Sequence, residues 1–130
     1  MSTDAPGLNT AMKWYIAHVI MYFKFKDGNQ NKFPIWENLI LVQGQSKKEA
    51  FEKAKAKSIS EEGDDSGSLR VGDRAACMTF GGIRKLVECE DADQMPGDGT
   101  EVSYSRLEVK TEEDFMKLIK GELVDIEYVE

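Results

Sequence analysis

Apolar and polar positions along the chain fall into blocks of differing period. The first block, MKWYIAHVIMYFKF at residues 12–25, is the most apolar stretch and holds the only histidine, His18. Its uninterrupted part runs from Trp14 to Phe23, which as a helix would measure roughly 15 Å, about half a bilayer's hydrocarbon thickness. It is too short to cross a membrane as a helix. Its β-branched and aromatic composition predicts a strand instead. Alternation then places Tyr15, Ala17, Val19, Met21, Phe23 and Phe25 on one face, and Trp14, Ile16, His18, Ile20, Tyr22 and Lys24 on the other. The first set is uniformly apolar and is expected to face the core. The second is apolar with polar tips, an unusual composition for a face meant for water.

A turn-rich loop, KDGNQNK, leads into a second apolar run, FPIWENLILVQG. Together they predict a β-hairpin with a long loop. Setting Phe25 opposite Phe33 pairs Val19 with Leu39, Tyr22 with Trp36, Ile20 with Asn38 and His18 with Ile40. In that register Trp14, His18, Tyr22, Trp36 and Asn38 share the second face and form the candidate binding surface. A slip of one residue would exchange the faces.

The period then changes. QSKKEAFEKAKAKSISEEG predicts a helix capped by Ser46 and Glu49, with Ala50, Phe51, Ala54 and Ile59 as its apolar stripe and Gly63 as its stop. Its lysines read as a solvated face, with an anion or acidic-partner site as the alternative. EEGDDSGSLRVGD reads as a loop. RAACMTFGGIRKLVECE reads as extended, its Gly81-Gly82 pair being either a hairpin turn or a bulge. After the acidic loop DADQMPGDG come a strand in TEVSYSRLEVK, a short helix capped by Thr111 in TEEDFMKLIKG, and a last strand in ELVDIEYVE. The expected fold is α+β: a largely antiparallel sheet of about five or six strands with two helices, in the order ββαβ(β)βαβ. Residues 1–12 read as a flexible N-terminal segment, and residues 13–130 as a single domain.

Composition sharpens the function classes. The 130 residues carry 24 acids against 17 bases, a formal charge of -7. That sign disfavours a general nucleic-acid binder and favours a basic partner. Cys77 and Cys89 form no CxxC pair, and one histidine cannot complete a zinc quartet with them. The start of the chain lacks the pattern of a secretory signal, so free thiols and a cytoplasmic location are expected, with neither membrane attachment nor nucleic acid.

The segments KWYIAHVIMYF, WENLILVQGQSKKEAFEKA, FGGIRKLVE and DGTEVSYSR resemble a family of small bacterial proteins known only as a domain of unknown function. The resemblance spans roughly residues 13–107 and leaves the C-terminal segment outside. It implies a bacterial, intracellular, single-domain protein, favours the bulge at Gly81-Gly82, and brings no activity and no site residues.

The chemistry-bearing motifs are sparse. No serine lies in a GxSxG elbow, and the glycines match neither phosphate-binding pattern. The loop opening at Asp91 fails as a calcium site, because Met95, Pro96 and Val102 stand where an oxygen ligand, a glycine and a bidentate Glu belong. No catalytic residue, metal or cofactor is therefore expected. The sequence points to a non-enzymatic acidic binding or protein-interaction module, self-associating or meeting a protein partner, one version being an immunity-type inhibitor of a basic partner. The alternative is a small-ligand pocket protein or weak enzyme using His18 on the aromatic sheet face.

Overall fold

A computed structural model describes residues 12–92 and 94–130. Apart from Met12, the N-terminal segment lies outside the described residues, as does Asp93 of the acidic loop. The long first strand, β1 (Lys13–Phe25), runs through the middle of the sheet. On one side lies β2 (Ile35–Gly44); on the other lies β4 (Arg74–Glu88), edged by the two-residue β3 (Arg70–Val71). All these pairings are antiparallel. Two short strands, β5 (Leu107–Glu108) and β6 (Glu127–Tyr128), pair separately. The fold is α+β, with a four-stranded antiparallel sheet and a two-stranded ribbon rather than one sheet of five or six.

The Gly81-Gly82 pair lies inside β4, which continues through it as one strand with register shifts at His18/Val19 and Ile20/Met21 of its partner. Glycine at 81 eases the close approach there, since a Cβ would meet the Ile20 carbonyl oxygen at a tight 3.2 Å. Bulges of this kind bend a strand and redirect its side chains.

The apolar face of β1 is the core. Ala17, Val19 and Met21 are buried against Ala54, with Ile40, Val42, Met78, Phe80, Ile83 and Leu86 around them. The helix above them, α1 (Lys47–Ser60), is capped at Ser46, whose hydroxyl accepts from the Glu49 amide at 3.1 Å. Ala50 and Ala54 of the expected stripe are buried, joined by Ser58, whereas Phe51 and Ile59 are exposed. Small residues four apart let the helix lie close to the sheet. Gly44 has the same cause: a Cβ there would stand 3.0 Å from the Ala50 nitrogen. The helix ends at Glu61, and Gly63 instead bridges to Met78.

The second helix, α2 (Glu112–Lys120), is capped by Thr111 and closed by Gly121 in the left-handed conformation at φ 73°. It buries none of its residues, and of the two helices it is α1 that packs on the sheet. Among the described residues no helix is long and apolar enough to cross a membrane.

The hairpin register differs from the expected one by one residue. His18 pairs with Leu39, Val19 with Asn38, Met21 with Trp36 and Tyr22 with Ile35. The loop supplies the reason. The Gln30 side chain accepts from the Phe25 amide at 3.1 Å and donates to the Phe23 carbonyl at 2.9 Å. These backbone groups at the end of β1 are thus occupied by an amide side chain, while the Phe23 amide donates to the Pro34 carbonyl at 3.1 Å. Arg74 fixes the loop further, gripping Asp27 with two donors and Asn31 and the Asn29 carbonyl with others.

Candidate functional site

The register decides the site. Trp14, His18 and Tyr22 share a face of β1, but Trp36 and Asn38 project from the other side, with Met21 and Val19. Trp36 meets the Phe23 ring edge-on at 5.4 Å. The expected cluster of Trp14, His18, Tyr22, Trp36 and Asn38 is therefore divided between the two faces. Its three remaining members are also spread along the strand. Trp14 packs beside Ile16, Cys89 and Ala92. Tyr22 lies against Phe33, with ring centroids 5.7 Å apart.

His18 lies between them and is only 2% exposed. The slip brings Glu37 onto its face. The His18 Nδ1–H donates to Glu37 Oε2 at 2.9 Å, and Nε2 meets the Ser103 hydroxyl. Arg84 donates to the same Glu37 oxygen at 2.8 Å. Burial alone would push the Glu37 carboxyl up, but the bonds from His18 and Arg84 outweigh it and hold the carboxyl below its ordinary value.

A second carboxylate completes the network. Glu130 accepts from Arg84 at 2.8 Å on one oxygen and from Lys85 at 2.8 Å on the other. Hydrogen bonds from Lys85 and then Arg84 lower its pKa to about 2. Side chains of consecutive strand residues ordinarily point to opposite faces. The register shift between His18 and Val19 falls at Arg84, so both cations reach one carboxylate. Lys85 also donates to the Tyr104 carbonyl, and the Arg106 amide donates to Glu130 at 3.1 Å. The Arg84 guanidinium lies 4.4 Å from the Tyr128 ring centroid. Residues 103–106 and 128–130 are thereby tied across the polar-tipped face of the sheet.

Ser103, His18 and Glu37 stand in the order of a nucleophile, base and orienting acid. Two features oppose that chemistry. Arg84 shares the Glu37 carboxylate and neutralises the charge that would support an imidazolium. The nearby hollow of about 270 Å³ is lined by Ile20, Gly81, Gly82, Ile83 and Arg84, and touches neither His18 nor Ser103. The network instead spends its charges on one another. Among the described residues no buried polar side-chain atom lacks a partner, and no group of three metal-ligating residues forms. Cys77 and Cys89 are free thiols; neither is a hydrogen-bond partner of His18.

Sequence reading missed Glu37, Arg84, Lys85, Ser103 and Glu130 as a group. The signal within reach was Glu37, the one charge in an otherwise neutral apolar run.

The other notable surface is the outer edge of β2. Phe33, Ile35, Trp36, Leu39 and Leu41 are 43–59% exposed, and among the described residues β2 pairs only with β1. Ile35, Leu39 and Leu41 lie on the His18 side, and Trp36 on the helix side.

Comparison with curated proteins and with solved structures gives no match to this chain. Residues 14–104, through Ser103 of the network, match the model for the domain of unknown function DUF4288, and the chain belongs to that family.

Proposed function

We propose that the chain is a non-enzymatic protein-interaction module that uses the β2 edge as its recognition surface. The observation that carries this reading is a ten-residue edge strand with large apolar residues on both faces. Edge strands of soluble proteins are ordinarily guarded by lysines, prolines, bulges or covering segments. From Ile35 to Gly44 the single charge is Glu37, already paired with Arg84 and His18, and a lysine guards the edge at its C-terminal end alone, where Lys53 donates to the Gln43 carbonyl at 2.7 Å. An extended segment of another protein can add to such an edge through main-chain hydrogen bonds, with side chains lying on Ile35, Leu39 and Leu41. The charge of -7 adds a preference for a basic segment. An acidic inhibitor that masks a basic protein is the concrete form. The test is an NMR titration with an extended peptide of alternating lysine and valine. Amide shifts concentrated in residues 33–43 are expected; shifts spread evenly over the acidic surface, or none, contradict the reading.

The Ser103–His18–Glu37 chain favours a second reading, a weak serine hydrolase. Phosphonylation of Ser103 by a fluorophosphonate, read by mass, would support it. An unlabelled Ser103 after prolonged exposure would dismiss it.

A further inference from the structure

We infer that one occupant of the β2 edge is the β2 edge of a second copy of this chain. The pairing is antiparallel about a two-fold axis and merges the two four-stranded sheets. This rests on the reading of β2 as a recognition surface and names the partner.

Electrostatics permits the contact despite the net charge. Like charges directly opposite one another destabilise a strand pair. β2 brings none that is free, since Glu37 is its sole ionisable residue and is held by His18 and Arg84. The remaining repulsion between two chains of charge -7 is long-range and falls away over about 10 Å at moderate salt.

A two-fold interface must be self-complementary, and an antiparallel strand edge is so by construction, since each copy offers the same alternation of donors and acceptors. The opposite end of the sheet cannot serve in the same way, because β3 has two residues and the neighbouring backbone is engaged by Gly63.

Area sets the strength. Aromatic side chains bury about 150–250 Å² when fully covered, so Phe33 and Trp36, about half exposed, offer about 200 Å² per copy, and Ile35, Leu39 and Leu41 add smaller aliphatic areas. The total for two copies falls short of the about 1,000 Å² that a stable specific interface buries. The dimer is therefore weak, depends on concentration, and tightens as salt screens the net charge.

The experiment is sedimentation equilibrium of the full chain up to millimolar concentration, at low and at moderate salt. The expected result is a mass rising from 14.6 kDa towards twice that value, more steeply in salt. Leu39→Lys and, independently, Ile35→Lys place a guarding lysine on the edge. Each is expected to weaken the dimer about tenfold or more, with the monomer's circular dichroism and thermal midpoint retained. A chain monomeric at millimolar concentration in both salts overturns the inference, as does a dimer that survives both substitutions. These outcomes are separable from the broader reading. A monomer whose β2 amides still respond to the lysine-valine peptide leaves the recognition surface standing and removes only self-pairing.

Discussion

The two faces of β1 are built from the same strand and covered by different physics. On one face, Ala17, Val19 and Met21 meet the small residues of α1, and close approach is the whole of the interaction. On the other, His18, Glu37, Arg84, Lys85 and Glu130 hold the C-terminal residues by charge and hydrogen bonding. The apolar face needs only shape and has no pH dependence of its own. The polar face needs every partner present and in its proper protonation state, because a buried polar group left unpaired costs more than its bond contributed. The apolar face packs the helix against the sheet, and the polar face positions residues 103–106 and 128–130.

The sharpest way to break the contrast is Met21→Ala. Met21 is buried at the centre of the apolar face, and its truncation is expected to cost about 3 kcal/mol in urea unfolding. A smaller effect is expected from Glu37→Gln, about 2 kcal/mol, because it weakens charge-assisted bonds to both His18 and Arg84. Asn38→Ala, one position along, is expected to cost less than half as much. Equal costs at 37 and 38 would remove the assignment of faces.

Acid gives the mildest perturbation. The folded values of Glu37 and Glu130 both lie below the ordinary 4.5, that of Glu130 at about 2. Carboxyls depressed in this way contribute stability in full above the unfolded value, and it is lost as pH falls through the folded one. Between pH 4.5 and 2, NMR signals of Tyr104 and Tyr128 are expected to shift towards free-chain positions. Val19 and Met21 amides are expected to remain protected from exchange over the same range. Simultaneous loss of both sets would mean that the two faces are not independent.

The parts of this molecule legible in its sequence are those set by local rules. Ser46 and Thr111 cap their helices as their spacing predicts, Gly121 closes α2, and the alternation of β1 assigns its core face. The register of β2 was not legible, because Ile35, Trp36, Leu39, Ile40, Leu41 and Val42 put apolar residues at both parities. The pattern is nearly indifferent to a one-residue slip, and the deciding contact is a glutamine side chain in the loop. The network was hidden for another reason. Ser103 lies 85 positions from His18, and Glu130 lies 46 from Arg84. No local pattern marks such a pairing, and the shift that aims Arg84 at Glu37 exists only once β1 and β4 have met.

Glu37, rather than Asn38, shares a face with His18. Cross-strand proton contacts between β1 and β2 in NMR spectra test it most directly. Backbone contacts pairing His18 with Leu39, Val19 with Asn38 and Met21 with Trp36 are expected. Contacts pairing His18 with Ile40 and Tyr22 with Trp36 would contradict it.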